Sequence, residues 1–463
     1  MTELNDCVLS SGSELFIFPI MAGTALYPLQ DILSRSQFHY EELPVRMLNA
    51  SHLAEIIVNE QWWKKEWFDS EVANIFYDYC RIPRLAETFL KLVQAGCGSS
   101  DVIPRDNLQE IKRQLDKQIY QKTESIGDLA EQIISDIILQ RGIRRNQLVS
   151  EIKPGSCTYG DLENKGAIII GSRPEISDKC FVECPFPLLR MMVEQVRNKS
   201  DSMQLLHTIL NSFRSERMEW QNFEQFCQKY LAVKEMLLRE AGALTIQLKE
   251  LYRGAVGPTD VLERQVQLSS SVKFHKCTHQ IKKDYPDNLA FDEYPTYTFL
   301  NKDGATFDGF CDRDRLFESG TVERHRIVMQ YKLWRRCKVS LDVVEAEARK
   351  VSDALPAGVD GFNYTLVIIT TNCVEITAED VPANCLVLSG KNLQQYFGDV
   401  ISSNVVGSLP SECVYVNGDD AERLQTVPGF GDKTAAKVIE ERKKSGPFAD
   451  WDAFKRRVSR VTM

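Results

Sequence analysis

Three polar residues in the second half of the chain have the types and spacing of a metal-dependent phosphoryl-transfer site. Asp308 lies near the end of the strand-like stretch "TFDGF", and Gln330 and Lys332 lie two residues apart in "IVMQYKLW". Side chains alternate along a strand, so Gln330 and Lys332 share one face while Met329 and Tyr331 take the other. Carboxylate and amide oxygens are hard ligands that suit Mg²⁺, which makes Asp308 and Gln330 the candidate metal ligands.

The surrounding pattern predicts an α/β core. A helix at "EWQNFEQFCQKYLAVKEMLLREAG" is followed by three strands, the helix "VSLDVVEAEARKVSDAL" and the strand "NYTLVIITTN". This order, with Asp308, Gln330 and Lys332, resembles the restriction-endonuclease-like core of the PD-(D/E)XK nucleases. The resemblance implies a Mg²⁺-dependent nuclease over 205–412, and it adds Glu224 of the first helix as a fourth site residue.

In such a site the cation polarises the phosphodiester and lowers the pKa of the attacking water. Lys332 would position that water and offset the developing negative charge. Gln330 stands where an acidic residue is usual, and a neutral amide binds a cation more weakly than a carboxylate. A nuclease fold that has lost catalysis and serves as a DNA-binding or scaffold protein is therefore the alternative.

A second motif lies near the C-terminus, in "TVPGFGDKTAAKV". A P-loop would require Lys directly after its final glycine, and here Asp432 follows Gly431, so nucleotide binding is not expected. The pattern instead predicts a helix-hairpin-helix over 418–463, whose glycines and helix N-terminus approach a DNA phosphate without reading bases. The predicted contact residues are Pro428, Gly429, Phe430, Gly431, Lys433, Thr434 and Lys437.

Charge favours this interpretation of the C-terminal segment. Residues 421–463 carry ten basic and six acidic residues, a local excess of four positive charges, whereas the whole chain has a net charge of −9. Nucleic-acid binding therefore has to come from a local patch. A small packing or protein-interaction module with the same hairpin is the alternative.

Composition bounds the remaining possibilities. A length of 463 residues suggests about three or four domains. The 13 cysteines are scattered and odd in number, which favours a reducing compartment. No apolar run approaches the ~18 residues that a membrane span needs. The clusters "HKCTH" and Cys180/Cys184 lack a second ligand pair at a suitable distance, so zinc is not expected.

The first half resembles parts of the Crinkler effectors of oomycetes and fungi and the retrotransposon hot spot proteins of trypanosomes. The segments "FPIMAGT", "ELPVRMLNASHLAEII" and "CRIPRLAETFLKLVQ", with Arg84 in a sensor-like position, are similar to part of their AAA-type NTPase. "TYGDLENKGAIII" and "FVECPFPLLRMMVEQV" are similar to their winged-helix connector. Since a Walker A loop is missing, the resemblance implies a truncated or degenerate NTPase without ATP hydrolysis.

These observations together predict a multidomain α/β protein. The predicted units are a truncated NTPase remnant with a helical lid at 1–98, a helical and winged-helix connector at 105–204, the nuclease-like domain at 205–412 and the helix-hairpin-helix at 418–463. The expected partner is DNA, with no membrane and with protein partners through the NTPase-like part. The resemblance implies action in the nucleus, with the cytoplasm or secretion into a host cell as alternatives. A degenerate NTPase that serves only as an interaction module is a further alternative.

Overall fold

A computed structural model gives the fold. The described residues are Leu48, Leu53, Ile56, 71–80, 83–97, 103–151, 157–172, 179–212, 220–281, 295–317, 319–332, 341–355, 363–371, 376–407, 421–424, 432–446, Phe448 and 451–458. Most of the predicted NTPase remnant, including "FPIMAGT", lies outside these residues. The predicted hairpin residues Pro428, Gly429, Phe430 and Gly431 also lie outside them.

The first described part is helical, because apolar residues recur there at the spacing of one helix face. Its helices are α1 (Glu71–Tyr79), α2 (Pro83–Cys97), α3 (Arg105–Ile126) and α4 (Ala130–Leu139), with a 3₁₀ turn at Gly127–Leu129. Phe76, Phe89 and Leu115 are fully buried between them. The stretch "CRIPRLAETFLKLVQ", predicted to belong to a helical lid, lies mostly on α2.

A small strand pair follows the helices. The elements are α5 (Tyr159–Asn164), β1 (Ile169–Ser172), β2 (Cys180–Glu183), α6 (Phe186–Val196) and α7 (Asp201–Ser212). Thr158 and Asp161 form a capping box that begins α5. Strands β1 and β2 pair antiparallel. Helices of different lengths and a two-stranded sheet therefore occupy the range 105–204 predicted for the winged-helix connector, and that assignment stays a prediction.

Within the described residues the large sheet has eight strands. Its elements and the helices among them are α8 (Trp220–Glu240), β3 (Thr245–Gln247), α9 (Leu248–Leu251), α10 (Thr259–Leu262), β4 (Gln265–Gln267), β5 (Lys273–Lys276), β6 (Tyr297–Leu300), β7 (Gly309–Leu316), β8 (Val322–Lys332), α11 (Leu341–Ala354), β9 (Asn363–Thr370), β10 (Cys385–Ser389) and α12 (Leu393–Gly407).

Pairing within this sheet is mixed. Strands β6, β7 and β8 form an antiparallel meander, and α11 then leads to β9, which runs parallel to β8 and carries β10 on its far side. Strand β4 pairs with the distal end of β7, and β5 pairs with β6. The two predicted helices and the predicted strands at β5, β8 and β9 are present, but the stretch predicted as one strand, "PTYTFLNKDGATFDGFCD", forms two antiparallel strands, β6 and β7, because a turn interrupts it. The short strands β3 and β4 were not predicted.

Apolar side chains cover both faces of the sheet. Met329, Tyr331 and Ile327 belong to a core that continues through α8 and α12 into the helices α3 and α4. Phe310, Val328 and Ile368 belong to a second core on the other face. The predicted alternation along β8 is confirmed, because Met329 and Tyr331 are buried on the face opposite to Val328.

Two buried ion pairs stabilise β7 against its neighbours. Arg313 of β7 pairs with Glu235 of α8, and both side chains are fully buried. Arg326 of β8 pairs with Asp312 of β7 at 2.8 Å, also without exposure. A buried charge without a partner is strongly destabilising, so these pairs restrict how α8 and β8 can lie against β7.

Three helices form the described C-terminal part, namely α13 (Ala421–Leu424), α14 (Asp432–Ser445) and α15 (Trp451–Val458). They share a small core of their own, composed of Leu424, Ala435, Val438, Phe448, Phe454 and Val458. Among the described residues no helix combines the length and the apolar character that crossing a membrane requires.

Candidate functional site

The sheet register brings Asp308 next to the end of β8. Gly309, the first residue of β7, pairs with Met329, and the backbone N–H of Asp308 donates to the carbonyl oxygen of Met329 at 3.0 Å. Gln330 and Lys332 follow Met329 on β8. An antiparallel pair in this register places Asp308 directly beside Gln330. Residues 22 and 24 positions apart in the sequence thereby meet at one end of the sheet.

The Asp308 carboxylate accepts two hydrogen bonds through one oxygen. Gln330 Nε2 and the backbone N–H of Tyr331 both lie 2.7 Å from Asp308 Oδ2. Gln330 is 2% exposed, and its Oε1 has no hydrogen-bond partner within the described residues. A buried amide oxygen without a donor is costly, so this atom is available to a ligand that offers a proton or a positive charge.

Lys332 forms an ion pair with Glu347, which was not among the predicted site residues. Its Nζ lies 2.9 Å from Oε1 of Glu347 on α11, and the two side chains are 18% and 15% exposed. Glu347 Oε2 also lies 3.5 Å from Nζ of Lys350. The signal in the sequence was weak, because Glu347 is one of several acidic residues of an amphipathic helix.

Glu224 of α8 interacts electrostatically with the carboxylates of Asp308 and Asp303. Burial raises the pKa of Glu224 to about 8, with further contributions from the negative charges of Asp308 and Asp303. Burial also raises the pKa of Asp308, while the N–H of Tyr331 and the charge of Lys332 oppose that rise. Carboxyl groups with pKa values raised by burial and by a neighbouring charge are common at functional sites.

A glycine sets the approach of α8 to this end of the sheet. A Cβ on Gly309 would lie 2.3 Å from Oε1 of Gln228, which is one helical turn beyond Glu224. The same Oε1 accepts a hydrogen bond from the hydroxyl of Tyr331. The absence of a side chain at Gly309 therefore permits the contact that holds α8, and with it Glu224, beside the strand ends.

The donor chemistry of the site fits a divalent cation in part. Asp308 and Gln330 Oε1 are oxygen ligands of the kind that Mg²⁺ prefers, and the second is a buried atom with no hydrogen-bond partner among the described residues. Among the described residues no cluster of three or more His, Cys, Asp or Glu side chains is arranged to hold a metal ion. Any cation here would therefore depend on the amide of Gln330.

The predicted DNA-contact residues on the C-terminal helices differ in their exposure to solvent. Lys433 in the first turn of α14 is exposed, Lys437 is half-buried, and Thr434 is 7% exposed. Arg457 of α15 donates to the carbonyl oxygen of Gly446 at 2.8 Å and lies 4.2 Å from the ring centroid of Phe448. Arg457 thus stabilises the end of α14, as cations at helix C-termini do.

Comparison with known proteins bears on this C-terminal part. Residues 410–462 match the family model of the helix-hairpin-helix motif. This motif indicates nucleic-acid binding. No curated protein and no solved structure matches the chain significantly. The predicted C-terminal motif is thereby confirmed, whereas the resemblance to Crinkler and retrotransposon hot spot proteins stays a prediction.

Proposed function

We propose that this protein is a DNA-binding phosphodiesterase, in which the C-terminal motif binds the backbone and the site around Asp308 acts on a phosphodiester bond. One observation carries the proposal: Asp308, Gln330 and Lys332 meet at one end of a mixed sheet, in a chain whose residues 410–462 match a helix-hairpin-helix motif. The elements α8, β6 to β8, α11 and β9 support it, since a helix, three antiparallel strands, a helix and a parallel strand are expected of a PD-(D/E)XK core; short strands and helices, β3 to β5 with α9 and α10, are inserted after α8.

The binding part rests on the chemistry of helix N-termini. Backbone N–H groups that open a helix meet a phosphate at the positive end of the helix dipole. Lys433, exposed in the first turn of α14, adds a charge at that end. Contacts of this kind recognise the backbone rather than the bases, so we propose low sequence specificity.

In the catalytic part, Asp308 and Gln330 would hold Mg²⁺, which when bound polarises the phosphodiester and lowers the pKa of a water molecule. The Lys332 ammonium group would orient the phosphate and offset the negative charge that develops on its oxygens. Glu224, with its pKa of about 8, holds a proton at neutral pH beside Asp308.

A second function, DNA binding without catalysis, is favoured by the contacts of the same residues. Gln330 donates its amide N–H to Asp308, and Lys332 is ion-paired with Glu347. These contacts give one oxygen of the Asp308 carboxylate and the ammonium group of Lys332 a partner without a cation or a substrate. In that case the sheet would serve as a scaffold for the C-terminal motif.

Cleavage assays separate the two functions. Supercoiled and linear DNA are incubated with the full chain and Mg²⁺ or Mn²⁺, using Asp308→Ala and Lys332→Ala as test variants. The matched controls are the exposed α3 positions Asp106→Ala and Lys117→Ala. We expect metal-dependent nicking that both test variants abolish and both controls retain. Salt-sensitive DNA binding without any cleavage by the wild-type chain would establish the second function.

A further inference from the structure

Strand β5 forms a basic border of the sheet. Within the described residues its only strand partner is β6. Its sequence is Lys-Phe-His-Lys, and residues 265–281 around it contain two lysines and two histidines but no acidic residue. In a chain with a net charge of −9, this stretch is a local concentration of positive charge.

Lysines reach this border from both faces of the sheet. Lys273 and Lys276 are exposed and, being three residues apart on a strand, project to opposite faces. Lys229 approaches from α8, with its Nζ 5.4 Å from the ring centroid of Phe274. The three residues Lys229, Lys273 and Lys276 are called the basic edge below.

Aromatic rings hold two of these ammonium groups in place. Lys273 Nζ lies 5.7 Å from the ring centroid of Tyr297, its register partner on β6. Lys229 has the corresponding contact with Phe274. Such cation–π contacts orient an ammonium group while leaving its N–H donors free for an anion. The rings lie beneath the lysines and therefore position charge rather than offer a stacking surface.

Among the residues that the structure describes, no carboxylate compensates the charge of the basic edge. Among the described residues no Asp or Glu lies within 4.0 Å of Nζ of Lys229, Lys273 or Lys276. Burial lowers the pKa of Lys229, and the nearby positive charge of Lys276 lowers it further. Cations that repel one another in the free protein gain the most from an anionic partner.

Strand register relates the basic edge to the Asp308 site. Lys276 pairs with Leu300 of β6, and Leu300 pairs with Gly309 of β7, the residue after Asp308. Neighbouring strands lie ~4.8 Å apart, so the Cα atoms of Lys276 and Gly309 are separated by roughly 10 Å. A phosphodiester strand lying along the basic edge would therefore pass close to Asp308.

We propose that the basic edge binds the phosphate backbone of a DNA strand and leads that strand to the Asp308 site. This inference rests on the proposed function and names the surface that takes its substrate. Lysines on border strands also discourage sheets from pairing with each other. That role accounts for Lys273 and Lys276, but it does not account for Lys229, because a helix residue protects no strand edge.

Lysine footprinting tests the proposal on the unmodified full chain. Surface lysines are acetylated with and without a short oligo(dT) strand or a short duplex, and the products are measured by mass spectrometry. We expect DNA to slow acetylation of the basic edge at least about threefold, in proportion to its occupancy of the ammonium groups. Lys117 on α3 serves as the unprotected reference, and the oligo(dT) and duplex arms show which form of DNA is bound.

The identity of the lysines that DNA protects distinguishes a failure of this inference from a failure of the proposed function. Protection of Lys433 without protection of the basic edge would overturn this inference and leave DNA binding by the C-terminal motif intact. If DNA protects neither, the proposed function fails as well. If poly-glutamate protects the basic edge and DNA does not, the surface binds an acidic polypeptide and the inference is wrong.

Salt dependence gives a second, quantitative test. The triple variant Lys229→Gln, Lys273→Gln, Lys276→Gln should bind duplex DNA at least about tenfold more weakly, with the slope of log affinity against log salt reduced by about 2 to 3. The control exchanges three lysines elsewhere: Lys117→Gln, Lys165→Gln and Lys249→Gln. An equal slope for the wild-type chain, the test variant and the control would overturn the inference.

Discussion

The Nε2 of Gln330 donates a 2.7 Å hydrogen bond to Oδ2 of Asp308, and this contact gives the buried carboxylate a hydrogen-bond donor within the protein. A Glu at the same position would place a second carboxylate beside the first. Gln330 instead supplies a donor, so the buried Asp308 carboxylate is stabilised within the chain itself. The amide oxygen of Gln330 has no hydrogen-bond partner in the part of the chain that the structure describes.

We expect Gln330→Glu to make the fold depend on a divalent cation. Two adjacent carboxylates repel each other, so without metal the variant should lose about 1–3 kcal/mol of stability. Added Mn²⁺ should raise its Tm more than that of the wild-type chain, because only the folded state offers the paired carboxylates. Thermal unfolding with and without Mn²⁺ measures both effects.

The control for this variant is Gln267→Glu, at an exposed position on β4 that gains the same charge. A Gln330→Glu variant that is as stable as Gln267→Glu and insensitive to Mn²⁺ would show that the position does not face a cation site.

The ion pair between Lys332 and Glu347 should contribute measurably to stability. A double-mutant cycle with Lys332→Met and Glu347→Gln should give a coupling free energy of about 1–2 kcal/mol, because the two side chains are largely shielded from water. The exposed α3 pair Arg113 and Glu110 is the comparison, with an expected coupling below about 0.5 kcal/mol. Equal coupling in the two cycles, measured by urea unfolding, contradicts this prediction.

Glu224 should make stability fall as pH rises. Its pKa is raised from an ordinary value of 4.5 to about 8, so the folded state holds the proton more tightly than the unfolded chain. Its contribution to stability is therefore lost progressively between those two pH values. Glu224→Gln should flatten the pH dependence across this window and stabilise the protein at pH 9 relative to wild type.

Tm values measured at several pH values between 5 and 9 check this sign. Glu240→Gln is the matched variant, since burial also raises the pKa of that α8 residue, which lies far along the helix from Asp308. The prediction is wrong if Glu224→Gln and the wild-type chain show parallel pH profiles.

Gly309→Ala should destabilise the protein by about 1–3 kcal/mol, because the new Cβ would overlap Gln228 Oε1. In a Gln228→Ala background the same substitution should cost less, since the two nearest opposing atoms are gone and only the carbonyl oxygen of Phe299, 3.1 Å from the new Cβ, stays close. Urea unfolding of the four proteins in this cycle provides the test. An unchanged cost in the Gln228→Ala background would mean that Gln228 is not what excludes a side chain at Gly309.

Lys433→Gln should weaken DNA binding about equally for unrelated sequences and lower the salt slope by about one, as expected for one lost phosphate contact. Lys117→Gln on α3 provides the control. Fluorescence anisotropy over a range of salt concentrations gives both quantities. A change that depends on the DNA sequence would contradict a backbone contact.

Local patterns were sufficient to predict much of the sheet. The alternation along β8 correctly separated the faces of Met329 and Gln330, because a strand allows only two directions for its side chains. The glycines around Phe430 and the helix pattern after them correctly predicted the C-terminal motif. Each of these two signals consists of residues only a few positions apart in the sequence, and over such short distances the sequence determines the geometry most directly.

Other features depend on contacts that no local pattern records. Glu347 reaches Lys332 because α11 crosses back over the sheet between β8 and β9, and its sequence resembles any acidic amphipathic helix. The orientation of the Gln330 amide depends on a hydrogen bond to Asp308, 22 positions away. The three-residue strands β3 and β4 are too short to show a period. Long-range pairing decided each of these features.

The apolar core described for one face of the sheet has a practical consequence for anyone who wishes to express part of this chain. Gln140, at the end of α4, donates to the carbonyl oxygen of Gln395 in α12, and its own carbonyl oxygen accepts from Arg253. Tyr230 of α8 bridges Ile138 and Phe397 in the same way. A fragment that starts at residue 205 would lack α3 and α4, so it would lose these hydrogen bonds and expose the apolar core. Recombinant fragments should therefore begin upstream of α3.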